Sequence, residues 1–153
     1  MKPSRSFSGV IVLGLSLAAM MPNAASAQQG ETSREAKALL EKAIVEVRAD
    51  EKAALEKFNR AVGEYRKRDL YVFCFDASSG VTTAHPTNRG RTIKGEKDQT
   101  GKAFGQEMFT SAKEGLISET SYMLPRTGES KPMKKHTYYT RAGNQVCGVG
   151  YYE

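Results

Sequence analysis

LYVFCFDASSGVTTAHP, residues 70–86, reads as a strand, a tight turn and a returning strand closed by Ala-His-Pro. Tyr71, Phe73 and Phe75 alternate with Val72, Cys74 and Asp76, the period of two that puts successive side chains on opposite faces of a sheet. Ala77, Ser78, Ser79 and Gly80 carry turn chemistry, with Gly80 free to take a positive φ. Val81, Thr82 and Thr83 are β-branched and suit the return.

Upstream of this hairpin lies an amphipathic helix. Thr32-Ser33-Arg34-Glu35 fits a capping box, so the helix is expected to begin there, with Gln28–Thr32 a flexible polar tail. Ala36, Leu39, Leu40, Ala43, Ile44, Val47, Ala54, Leu55 and Phe58 recur at spacings of three and four and make one stripe. The stripe predicts a single long helix ending between Asn59 and Gly63. It can pack on a sheet face, or serve as a seam between two copies of the chain.

The N-terminus reads as a secretory signal peptide over residues 1–27. Lys2 and Arg5 precede an apolar run, Gly9–Met21; Pro22 breaks it and Ala25-Ser26-Ala27 forms an A-x-A cleavage site. The run is shorter than the roughly 20 residues a spanning helix needs, which disfavours an uncleaved anchor. Removing 27 of 153 residues leaves 126, enough for one domain with a real core, over residues 33–153. Loss of Lys2 and Arg5 lowers the basic count from 23 to 21 against 17 acidic residues, so the net charge falls from +6 to +4. Arg66-Lys67-Arg68 forms a compact basic tract in an expected helix-to-strand connection. Export and the lack of a broad basic face argue against nucleic acid as a partner, whereas a mild positive field suits small anions. Cys74 and Cys147 fall in predicted strands; in an oxidising compartment an even pair can be bridged, but two buried thiols fit the sequence as well.

Downstream of the hairpin, Thr87–Gly101 is glycine-rich and charged, a loop with room for a short helix. Lys102–Glu114 carries Phe104, Met108, Phe109 and Ala112 at helical spacing, with Gly115 as a stop. Leu116–Leu124, Lys135–Arg141 and Gln145–Tyr152 read as strands, separated by turns at Pro125–Ser130 and Ala142–Asn144. The order predicts an α+β fold: a long N-terminal helix, an antiparallel sheet of five strands, and a helix-loop segment between strands two and three.

This order of elements, with these residues, resembles the single Cache domain, a PAS-like extracytoplasmic sensor module. The resemblance rests on L-Y-V-F-x-F-D at Leu70–Asp76, A-H-P at Ala84–Pro86, D-x-x-G-K-x-F-x-x-x-M-x-x-x-A at Asp98–Ala112, Tyr122 with Pro125, K-x-T-Y at Lys135–Tyr138 and G-V-G-x-Y at Gly148–Tyr152. It implies a PAS-like strand order of 2-1-5-4-3, in which the first and last strands are neighbours. Cys74 and Cys147 stand where the family has aliphatic residues, and that adjacency favours a disulfide between them, contributing about 2–4 kcal/mol by closing a long loop. The resemblance also implies a ligand: a short organic carboxylate held between the sheet and its covering loops, with the signal passed to a separate membrane or envelope partner.

A bound carboxylate needs donors to replace its water, and a charge-assisted hydrogen bond contributes about 1.5–3 kcal/mol. Lys135, at the family's K-x-T-Y position, is the first candidate. Tyr138 and Tyr122 are expected to add phenolic donors and His85 a positioned one, with Tyr71, Phe73, Phe104 and Met108 as walls. Nothing points to a cofactor. His85 and His136 have no nucleophile motif, and two His with two Cys lack the close spacing of a zinc site. Gly148 and Gly150 open no helix and so do not make a dinucleotide loop. The reading is therefore a binding module without turnover, against the alternative of a ligand-free structural or docking module of the cell envelope.

Overall fold

A computed structural model describes residues 24–60 and 63–153 of the chain. The basic start, the apolar run and Pro22 of the expected signal peptide lie outside the described residues. Helix α1 spans Ala24–Ala49 and α2 spans Glu51–Arg60. The sheet comprises β1 (Arg66–Lys67), β2 (Leu70–Asp76), β3 (Thr82–Ala84), β4 (Ser118–Pro125), β5 (Pro132–Ala142) and β6 (Gln145–Tyr152), with α3 (Phe104–Ser111) between β3 and β4. Every pairing between these strands is antiparallel, in the order β1-β2-β6-β5-β4, with β3 also on β2. Leaving β1 aside, this is the 2-1-5-4-3 order.

The helical region departs from expectation twice. The helix begins at Ala24, so Gln28–Thr32 is helical rather than a loose tail and the capping box lies inside α1. Ala and Gln are good helix formers, and extending an existing helix avoids the cost of nucleating one. Ser33 is released from capping and its hydroxyl bonds the Tyr138 hydroxyl at 2.8 Å. The helix then breaks at Asp50, whose carboxylate accepts the Ala53 N–H and so caps α2. A straight helix would hold Glu46 and Lys57 about 16 Å apart along its axis. Their ion pair therefore reports a bend, which wraps α2 onto the β2–β3 hairpin.

The sixth strand, β1, lies in the stretch expected to be a plain connection. Its two exposed charged residues give no alternation to read, and it forms because Arg68, at φ 55°, turns the chain back so that Lys67 pairs with Leu70. Helix α3 is shorter than its periodicity predicts. It ends at Ser111, where Ala112 becomes extended and leads into a bridge between Lys113 and Leu116.

The two faces of the sheet carry separate cores. Leu70, Val72 and Cys74 of β2, Cys147, Val149 and Tyr151 of β6, and Ala142 of β5 pack against Ala36, Leu40, Ala43, Ile44 and Val47 of α1. Cys74 and Cys147 are directly opposite in the β2–β6 register, with Cα atoms 4.1 Å apart, and are joined as a disulfide beneath the helix. The alternate residues, Phe73, Phe75, Val146 and Tyr139, face the other way and meet Phe104, Met108 and Ile93. There Gly105 lets α3 touch the Ile93 backbone: a Cβ at 105 would stand 1.8 Å from the Ile93 carbonyl oxygen.

Candidate ligand-binding site

The face away from α1 holds a cavity of about 350 Å³, within the range of small-molecule sites. Its floor is built by three adjacent strands. Tyr122, Lys135 and Tyr152 stand side by side across β4, β5 and β6. Gly148 and Gly150 make the floor thin: a Cβ at Gly150 would lie 2.4 Å from Lys135 Cε, and one at Gly148 would lie 2.6 Å from Phe73 Cζ. The glycines thus let Lys135 lie across β6 and let Phe73 settle onto it.

Lys135 is 5% exposed and pairs with no carboxylate among the described residues. Its Nζ donates to the Tyr71 hydroxyl at 3.2 Å and lies 4.8 Å and 5.1 Å from the ring centroids of Tyr71 and Tyr152, a cation–π cradle. Burial pulls its pKa down, but the electrostatic interaction with Tyr71, Tyr122 and Tyr152 and the hydrogen bond to Tyr71 outweigh this, and the net direction is upward. Lys135 is therefore an ammonium at neutral pH, desolvated and neutralised only by oriented dipoles.

His85 is the second polar group. Its Nδ1 accepts the backbone N–H of Thr87 at 3.0 Å and of Asn88 at 3.1 Å, which leaves the ring proton on Nε2. Burial, and then the Lys135 charge, lower its pKa to about 4, so the ring is a neutral donor at physiological pH. It packs against Tyr71 and Phe73 at centroid distances of 5.1 and 6.3 Å. Asn59 of α2 holds this corner in place: its amide donates to the Thr83 carbonyl and its side-chain oxygen accepts the His85 N–H. On the opposite wall Phe104 stacks on Tyr122 at 3.9 Å, and the Tyr122 hydroxyl is spent on Thr137 at 2.7 Å.

Lys135, Tyr122, His85, Tyr71, Phe73, Phe104 and Met108, all expected from the sequence, line this one cavity. Tyr138 does not. Three residues from Lys135 on the same strand, it must point to the opposite face. There it packs under α1, bonded to Ser33 and stacked near Tyr151. Further lining residues lie beyond those expected from the sequence. Tyr152 closes the G-V-G-x-Y run, and its register opposite Lys135 puts it on the cavity floor. Arg126 lies in a turn; it ion-pairs with Asp69 and covers the Tyr152 ring at 4.6 Å. Arg91 and Glu96 come from the loop after β3. That loop is pinned by Asp98, whose carboxylate accepts the Met123 N–H of β4 as well as Thr100 and Lys102, contacts that lower its pKa to about 2. The D-x-x-G-K run is thus a staple for the cavity's cover and stands outside the lining. No cluster among the described residues could hold a metal ion.

An antiparallel sheet with α1 and α2 on one face and a cationic, aromatic cavity under α3 on the other has the form of a small-ligand binding domain. The chain belongs to the Cache domain family, whose model matches residues 29–151. Solved structures agree on the fold. A methyl-accepting chemotaxis protein from Vibrio parahaemolyticus is similar over 83% of this chain and 92% of its own, at a TM-score of 0.63 and 19% identity. A Cache chemosensory domain described for carboxylic acid recognition is similar over 84% and 95%, at a TM-score of 0.58 and 22% identity. A periplasmic sensor domain of a chemotaxis protein is similar over 88% and 99%, at a TM-score of 0.58 and 23% identity. No curated protein matches the sequence.

Proposed function

We propose that this domain is an exported sensor module that binds a small organic carboxylate without turnover and passes its ligand state to a separate partner. The observation that carries the reading is Lys135: a buried ammonium without a carboxylate partner among the described residues, at the floor of a cavity. A carboxylate would supply the missing counter-charge, with the His85 Nε2–H and the Tyr71 hydroxyl within the same lining as further donors. The Cache chemosensory domain described for carboxylic acid recognition supports the same class of ligand. Export through a signal peptide cut after Ala27 belongs to the proposal, and no described helix is long and apolar enough to cross a membrane.

Transmission would run through Asn59. A ligand drawn to His85 pulls on a corner that Asn59 ties to α2, and α2 continues into α1. Self-association through α1 would use its outer face, where Val45 is 67% exposed, because the inner stripe is spent on the sheet.

Calorimetric titration of the purified domain with small carboxylates tests the reading. Lys135→Met should weaken binding by roughly 10- to 100-fold through loss of a desolvated charge-assisted contact. The fold should hold or become more stable, since an apolar side chain replaces a buried charge. Equal affinity in the variant would overturn the reading and move attention to a docking role.

A further inference from the structure

The shape of the cavity says more about the ligand than its charge does. Resting on the reading of Lys135 as the anion anchor, we propose that the cavity selects a monocarboxylic acid whose body is one aromatic ring, over short aliphatic acids.

Size is the first argument. A water takes up about 30 Å³ of liquid, so the cavity of about 350 Å³ holds space for roughly a dozen. An acid of acetate size displaces only about two of them and leaves the apolar walls wet. The walls give the second argument. Phe104 and Tyr122 present a stacked pair with rings 10° from parallel. On β2, separated from β4 by β6 and β5, Tyr71 meets His85 edge-on and Phe73 meets it tilted, and Met108 belongs to the same lining. A planar ring among these aromatic side chains gains stacked and edge contacts that a saturated body of equal size does not. The third argument is the charge pattern. Lys135 is the buried cation of the lining; Arg126 is paired with Asp69, and the exposed Arg91 is offset by Glu96 and Glu129 in the same lining. A second carboxylate on the ligand would meet two acidic side chains against one exposed arginine, which favours a single acid group.

Titration of the mature domain with acetate, propionate, cyclohexanecarboxylate, benzoate and phenylacetate tests this directly. Benzoate or phenylacetate should bind on the order of a hundredfold tighter than acetate, and tighter than cyclohexanecarboxylate. Acetate or propionate binding within about threefold of the aryl acids would overturn the size selection while leaving the anion site intact. Cyclohexanecarboxylate equal to benzoate would overturn the aromatic selection alone. Binding of no acid at all would overturn the anion-site reading, and this inference with it. Leu124→Trp, a change at a half-buried lining position, should weaken phenylacetate by about tenfold or more and acetate by a smaller factor. Equal weakening of the two acids, or an unaffected phenylacetate affinity, in a folded variant would mean that the ring does not lie against this wall.

Discussion

The two faces of the sheet are made by the same strands and have opposite properties. The face under α1 is dry and cross-linked: Leu40, Val72, Val149 and the Cys74–Cys147 bridge are all within 1% of complete burial. The other face carries a desolvated lysine, two glycines and the rings of five Phe and Tyr residues and His85 around a void. Adjacent residues divide the labour, as with Phe73 and Cys74, or Val149 and Gly150. A sheet can afford an unpaired cation and a cavity on one side when alternate residues on the same backbone supply the stability on the other.

Substitutions can pull the faces apart. The largest effect is expected from Cys74→Ala with Cys147→Ala, which opens a bridge spanning 73 positions and should cost about 2–5 kcal/mol of stability. Denaturant unfolding would read the loss, and any surviving folded protein should bind ligand normally; a loss of affinity at full stability would mean the faces are not independent. Next comes Gly150→Ala. Its new Cβ falls on Lys135 Cε and Thr137 Oγ1, so stability should drop by about 1–3 kcal/mol while the displaced ammonium weakens anion binding. Paired melting and titration experiments would show both effects together, and an unchanged affinity would remove Lys135 from the site.

A smaller effect follows from His85. Its folded pKa, about 4, lies below the ordinary 6.5, so the unfolded chain takes up a proton that the folded chain refuses. Its stabilisation is present above pH 6.5 and is lost as pH falls from there towards 4, by about 3 kcal/mol. Replacement by Asn should flatten that slope in a pH series of unfolding curves. Because Lys135 carries the charge, anion affinity should stay nearly level from pH 5.5 to 8.5; a collapse above about pH 6.5 would transfer the anchoring role to a histidinium. The smallest expected effect is Tyr138→Phe, which removes the hydroxyl bonded to Ser33 under α1. About 1 kcal/mol of stability should go, with ligand affinity untouched. A binding defect would return Tyr138 to the site.

Much of this division was legible in the chain. Alternation marks Leu70–Asp76, and the turn at Ala142–Asn144 marks the start of Gln145–Tyr152; both strands stand at those bounds. The strand order implied by the family resemblance placed the cysteines on neighbouring strands. Parity was the signal that went unused: Lys135 and Tyr138 are separated by an odd number of positions, while Lys135, Thr137 and Tyr139 share a face. The break at Asp50 leaves a faint mark, since the apolar stripe has no member between Val47 and Ala54 and Asp50 is a favoured capping residue, but the direction of the bend depends on where the hairpin lies. Arg126 and Arg91 could not be found from periodicity either. They reach the cavity from turns, whose course is set by contacts such as Asp98 with Met123, distant in sequence.

Lys135 and Gly150 are also coupled, in one direction. The lysine chain fills the space that a side chain at 150 would enter, so residue 150 cannot grow while Lys135 stays. Lys135 can shorten, as in Lys135→Met, with no change at 150. The constraint is therefore asymmetric: one substitution removes the cation, whereas a larger residue at 150 must displace both Lys135 and Thr137.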